Sequence, residues 1–163
     1  MSKEILKSRK EYSAQAISLD EKGICGFCEI KEELIIKKYK HWILMYSEFP
    51  YWKYNTILIS KRHVDKFSDL FSEEVSELTT IINEIDFMYK ESGIIGENSP
   101  FGVQLLIFWR SRFVDPFKNY VAHFHLHICP EFEKSWDSIL DNNAQDIDIS
   151  LLKKIFQKKH ENK

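Results

Sequence analysis

The sequence predicts an α+β domain, a largely antiparallel sheet with one long helix laid across it. Three observations carry this. Short runs of β-branched, aliphatic and aromatic residues recur between turn residues, as strands do. Residues 72–92 instead space their apolar residues at helical intervals. Residues 120–130, Tyr-Val-Ala-His-Phe-His-Leu-His-Ile-Cys-Pro, alternate strictly, the period of a half-buried strand.

In chain order, residues 3–19 offer a helix with Ile5, Leu6, Tyr12, Ala16 and Leu19 as an imperfect apolar stripe. Residues 23–29, Gly-Ile-Cys-Gly-Phe-Cys-Glu, form a tight knuckle whose glycines permit the turn that aims both thiols at one point. Residues 34–39 and 41–46 are β-rich and separated by Lys40, which predicts a hairpin or meander. Residues 55–60, Asn-Thr-Ile-Leu-Ile-Ser, predict a buried strand ending in Lys61, Arg62 and His63. Ahead of it, Phe49, Tyr51, Trp52 and Tyr54 suit a stacking surface for a base or an aromatic part of the core or an interface.

The helix over 72–92 takes Ser72 as N-cap with Glu73 and Glu74 in its first turn, carries Val75, Leu78, Ile82, Ile85 and Tyr89 on one face, and stops at Gly93. Residues 101–109 are almost continuously apolar, the mark of a strand buried on both sides or lying at an interface. A ten-residue loop containing Pro116 leads into the histidine strand, so the two strands pair antiparallel. Beyond Pro130 the chain turns polar, with Trp136, Ile139 and Leu140 as anchors, before a last helix near 148–160 carrying Leu151, Leu152, Ile155 and Phe156.

The histidine strand carries the chemistry. His123, His125 and His127 alternate with Phe124, Leu126 and Ile128, so the apolar set faces a core and the imidazoles share the other face. A merely solvated face is normally filled with Thr, Ser, Lys or Glu. Two imidazoles at i and i+2 can share a Zn²⁺, but at about 3.3 Å per residue the first and third Cα atoms lie roughly 13 Å apart, so all three cannot bind one ion. At least one histidine is left for work as nucleophile, base or acid.

The 163 residues, 44% hydrophobic and 14% aromatic, fit one globular domain over 1–163. A net charge of −2 gives no general attraction for a nucleic acid polymer or an anionic membrane. No stretch approaches a signal peptide or a membrane span. Cys25, Cys28 and Cys129 are an odd set containing a Cys-x-x-Cys pair, which reads as metal-binding or redox in a reducing compartment, hence a cytoplasmic protein.

Four pieces, in order, now resemble the histidine triad (HIT) family of nucleotide hydrolases and transferases: Cys25-Gly26-Phe27-Cys28-Glu29-Ile30, Ile57-Leu58-Ile59-Ser60-Lys61-Arg62-His63, the long helix, and His123-Phe124-His125-Leu126-His127-Ile128. The resemblance covers roughly residues 23–130, which it implies are the core of the domain, with an N-terminal helical extension over 1–22 and a C-terminal extension over 131–163. It implies a sheet of about five antiparallel strands with the long helix packed on it, a homodimer joined through that helix and an edge strand, and a nucleotide substrate with a substituted α-phosphate, such as a dinucleoside polyphosphate or a nucleoside phosphoramidate. By position in the motif, His125 would be the nucleophile, His127 would lie beside the phosphate oxygens, His123 would orient the site and His63 would be near the leaving group.

Family members with the cysteine pair imply a structural zinc held by Cys25, Cys28, His63 and His123, which would remove His63 and His123 from acid or base work. No cofactor is implied for the chemistry itself. Sixteen residues before His63, the family's ribose-binding acid falls on Ser47, with Glu48 adjacent. The glycine-containing phosphate element before the triad is replaced by Lys118, Asn119 and Tyr120, which keep an amide and a hydroxyl. Arg110 and Arg112 in the preceding loop suit phosphate or simply solvent. Two other readings stay open: a catalytically silent nucleotide-binding protein on the same fold, and a metalloprotein using His123 with His125 or His125 with His127.

Overall fold

The structure, a computed structural model, describes residues 19, 22–48, 54–95, 103–107, 123–130, 154 and 156, with the backbone alone for 103–107. Five strands form one antiparallel sheet: β1 (Ile35–Lys38), β2 (Trp42–Tyr46), β3 (Thr56–Ser60), β4 (Val103–Ile107) and β5 (His125–Pro130), in the order β1-β2-β3-β5-β4. The one long helix described, α1 (Ser72–Glu91), follows β3. This is the α+β arrangement the sequence predicts, with Val103–Ile107, from within the apolar run over 101–109, supplying the β4 edge. Of the predicted N-terminal helix only Leu19 is described, and it is helical; residues 49–53 lie outside the described residues. Of the predicted last helix, Lys154 and Phe156 are described, both helical.

Alternation decides the two faces of the sheet. Trp42, Leu44 and Tyr46 of β2, Leu58 of β3, and Leu126 and Ile128 of β5 pack against Leu78, Ile81, Ile85, Met88 and Tyr89 of α1. On the opposite face Met45, Ile57 and Ile59 meet Phe27, Ile30 and Leu34. Every residue of β3 is buried because both its faces are covered. Register then determines which face the histidines take: Ile59 lies opposite His125 and Ile57 opposite His127. Residues directly opposite in a ladder share a face, so both imidazoles stand on the side away from the helix.

Two local expectations shift. The N-cap of α1 is Phe71, not Ser72. The Glu74 carboxylate reaches back to accept from the Phe71 N–H at 2.7 Å and from Arg62 Nη2 at 2.7 Å and Nε at 3.2 Å, so the helix start is closed by its third residue. The apolar stripe is also rotated, with Ile81 and Met88 buried and Val75 and Ile82 at its margins. At the other end Gly93, at φ 71°, adopts the left-handed conformation expected of a helix stop.

Among the described residues no helix is long and apolar enough to cross a membrane.

Candidate functional site

The knuckle comes first in the chain. Cys28 N–H donates to the Cys25 carbonyl at 3.0 Å, closing the turn that brings the two thiols to one side. Its two glycines serve different ends. Gly23 sits at φ 67°, which a side chain would strain. Gly26 instead makes room, since a Cβ there would meet Leu19 Cδ1 at 3.2 Å.

Backbone stitching carries the other half of the cluster to the knuckle. Phe124 N–H donates to the Val64 carbonyl at 2.6 Å and Ser60 N–H to the Phe124 carbonyl at 3.4 Å, so residues 60–64 and 123–124 run side by side. The rings of His63 and His123 consequently lie 4.6 Å apart, centroid to centroid. β5 begins at His125, so His123 precedes the strand instead of continuing its alternation.

Cys25, Cys28, His63 and His123 converge, with one ligand atom from each lying within 4.8 Å of all the others. His123 Nδ1 is 3.4 Å from Cys25 Sγ and 3.6 Å from Cys28 Sγ, and His63 Nδ1 is 3.2 Å from Cys28 Sγ. A tetrahedral zinc with ordinary Zn–S and Zn–N bonds requires S···N edges of about 3.5 Å. The donor set therefore fits zinc in both chemistry and spacing. Outer partners orient it as metal sites require: His123 Nε2 donates to the Ser60 carbonyl at 2.8 Å, turning Nδ1 toward the thiols, and His63 Nε2 lies 3.2 Å from the Asp65 carboxylate. The Cys28 thiol is pushed up to about 11 by desolvation and by Cys25 beside it. Two thiolates this close repel, and a cation between them removes the repulsion.

His125 differs. Its Nδ1 donates to the His123 carbonyl at 2.7 Å, which leaves Nε2 as the lone-pair nitrogen. Burial holds its imidazole down, to about 4, so that it is neutral at neutral pH. Phe27, from between the two cysteines, stands edge-on to its ring at 4.7 Å. His127 follows on the same face, its ring 5.3 Å from that of His125, and is buried with Nδ1 3.3 Å from Asn55 Oδ1. A neutral, tautomer-locked imidazole beside a second one is suited to attack on an electrophile whose departing charge the second can meet.

The fold has solved counterparts. A Zn-bound histidine triad family protein from Mycobacterium smegmatis is 19% identical with a TM-score of 0.57, over 85% of this chain and 97% of that one. A diadenosine triphosphate hydrolase from Plasmodium falciparum, in complex with cyclomarin A, is 15% identical with a TM-score of 0.52, over 68% and 71%. The fold is that of the histidine triad proteins. A uridylyltransferase shares the histidine triad fold at 18% identity and a TM-score of 0.61, over 92% of this chain, which spans 50% of the uridylyltransferase's length. No family model and no curated protein matches the sequence.

Of the other residues singled out in the sequence, Ser47 is buried at the end of β2, and Glu48 pairs with Lys31 at 3.2 Å. Lys118, Asn119, Tyr120, Arg110 and Arg112 lie outside the described residues. Sequence reasoning missed Phe27, Asp65 and Asn55. Phe27 and Asp65 stand within two residues of a metal-site candidate, a proximity that marks them for attention. Asn55 reads only as the polar head of an apolar strand.

Proposed function

We propose that this protein is a nucleotide hydrolase or nucleotidyl transferase that cleaves at the α-phosphate of a dinucleoside polyphosphate or nucleoside phosphoramidate through a covalent nucleotidyl-His125. The observation that carries the reading is the His125 Nδ1–H held by the His123 carbonyl at 2.7 Å, because it makes Nε2 a neutral nucleophile with a defined direction. The fold shared with a diadenosine triphosphate hydrolase and a uridylyltransferase supports the substrate class.

In the first step the His125 Nε2 lone pair forms an N–P bond while the bond from phosphorus to the leaving oxygen or nitrogen breaks, the leaving group departing with that electron pair and taking up a proton. In the second, the oxygen of water or of another acceptor attacks the same phosphorus, the acceptor loses its proton, and the N–P bond electrons return to His125. His127, once its Nε2 has taken up a proton, serves the phosphate oxygens, where a donor stabilises charge that grows in the transition state. Ser47 or Glu48 takes the ribose, and Asn119, Tyr120 and Arg112 take phosphate oxygens, roles supported by their positions in the sequence. Cys25, Cys28, His63 and His123 hold a structural zinc, whose contribution is to fix the knuckle against the histidine strand. The free thiols fit a reducing, cytoplasmic setting. The edge position of β4 supports a homodimer.

The replacement of the family's phosphate element by Lys118, Asn119 and Tyr120 favours a second reading, nucleotide binding without turnover. One experiment separates the two: release of nucleoside monophosphate from adenosine and guanosine phosphoramidates and dinucleoside polyphosphates, by the parent and by His125→Asn. Turnover by the parent, lost in a variant that still folds and binds nucleotide, is the expected result. A folded, nucleotide-binding parent with no turnover overturns the enzymatic reading in favour of binding alone.

A further inference from the structure

We infer that Asn55 is the positioning residue of His127, setting which of its ring nitrogens carries the proton. The argument starts from the Asn55 amide. It is buried, 1% exposed, at the head of β3. Its Nδ2 lies 2.8 Å from the Thr56 carbonyl oxygen and 3.3 Å from that of Ile128. Both neighbours only accept, so the NH₂ group must face them and Oδ1 must face the other way. In that direction lies His127 Nδ1, at 3.3 Å. An amide oxygen cannot donate. Nδ1 of His127 therefore bears hydrogen, and in the neutral ring Nε2 carries the lone pair.

The backbone at Asn55 is itself held. Tyr54, immediately before it, sits at φ 65°, a left-handed conformation that costs a non-glycine residue free energy. From α1, the buried Tyr89 hydroxyl donates to the Tyr54 carbonyl at 2.7 Å and lies 3.3 Å from Thr56 Oγ1. The helix thus grips the turn on either side of Asn55, and Asn55 grips both β5, through Ile128, and His127. This is a chain of contacts from the helix through the sheet to the histidine face.

The consequence for catalysis rests on the proposed nucleotidyl-transfer reading. His125 and His127 are both held with Nδ1 protonated, one by a backbone carbonyl and the other by a side chain. Their Nε2 atoms then carry the lone pairs, one suited to attack phosphorus and the other to take up a proton. Of the two locks, only the one on His127 can be removed by substitution.

The test is long-range ¹H–¹⁵N correlation NMR of the imidazoles in the full-length, metal-loaded protein, read above neutral pH, comparing the parent with Asn55→Leu and Asn55→Asp. His127 in the parent is expected as the Nδ1–H tautomer. Asn55→Leu, nearly isosteric but without an acceptor, is expected to convert His127 to Nε2–H or a mixture while His125 keeps Nδ1–H. Asn55→Asp retains the acceptor and is expected to retain Nδ1–H, which keeps the inference testable if the leucine variant does not fold. A parent His127 in the Nε2–H form overturns the inference. So does a folded leucine variant with an unchanged tautomer, or an aspartate variant that has lost it. If nucleotide turnover is present, Asn55→Leu is expected to lower kcat at least about tenfold with little change in KM. Absence of turnover in the parent counts against the enzymatic reading alone, since the tautomer readout needs no activity.

Discussion

Phe27 stands edge-on to His125, ring centroids 4.7 Å apart at an interplanar angle of 62°. The same ring is 6.1 Å from His123. Because Phe27 lies between Cys25 and Cys28, the cysteine knuckle and the proposed nucleophile share a wall. Removing the ring leaves His125 Nδ1 bonded but its ring unsupported on one edge. Small misplacements of a reacting atom are costly, up to about 100-fold for 1 Å. Phe27→Ala is expected to reduce kcat about 10- to 100-fold while zinc content by atomic emission stays unchanged, and a variant with parental kcat would remove Phe27 from the site.

The cluster of Cys25, Cys28, His63 and His123 joins segments 98 positions apart, with the Cys25 Sγ to His123 Nδ1 contact at 3.4 Å. A metal that binds only the folded protein stabilises it by mass action. Purified protein is expected to carry one zinc per chain. Chelation is expected to cost at least about 2 kcal/mol, a fall in Tm of about 4–8 °C for a chain of this size. Cys28→Ser should lose the metal and most of that increment. A Tm and a metal content that do not respond to either change would refute the zinc assignment.

Glu74 is 3% exposed and serves two donors, the Phe71 N–H and the Arg62 guanidinium. The Arg62 guanidinium holds its carboxyl below the usual carboxylate range. Glu74→Gln removes the charge and is expected to cost about 1–2 kcal/mol by urea denaturation, since it weakens a charge-assisted bond whose Arg62 partner is 38% exposed and stays solvated. The sign of the pH effect follows from the depressed folded value. The unfolded carboxylate takes up its proton first as pH falls, so this stabilisation is fully present above pH 5 and is lost as pH drops through the folded-state value. The parent's stability should therefore fall more steeply than the variant's below about pH 4.5, and parallel curves would contradict the assignment.

Tyr89 buries its hydroxyl against the Tyr54 carbonyl and Thr56, and its ring meets Phe156 edge-on at 5.9 Å. Tyr89→Phe keeps the packing and removes the bond that holds the left-handed turn, for an expected loss of about 1–2 kcal/mol. Phe156→Ala instead opens a cavity against the same ring and should cost more, about 3 kcal/mol. The ranking of the two midpoints in denaturant tests whether the turn or the packing matters more.

Much of the fold was legible because its signals are local. The β-rich run of β2, the period of two in β5, the helical period over α1 and the αL stop at Gly93 each depend on residues a few positions apart. The N-cap was misread because Ser72 is a good cap by type, whereas the cap depends on where Glu74 points. That direction comes from Arg62, twelve positions earlier. His123 was read as part of the strand because alternation does not reveal where pairing begins. The ladder to β3 starts at His125.

By itself the sequence determined which residues are the candidates for chemistry: two cysteines in a knuckle, a histidine at a strand end, and three alternating imidazoles. Residue type and spacing suffice for that, since they decide what a side chain is able to do. Only the tertiary structure decided how the histidines divide. His123 turns Nδ1 to the thiols because Ser60 takes its Nε2–H, while His125 and His127 keep the lone pair on Nε2 because the His123 carbonyl and Asn55 take their Nδ1 protons. An imidazole's role depends on which nitrogen holds the proton, and the partner that holds it there arrives through strand register and chain crossings that no local pattern records.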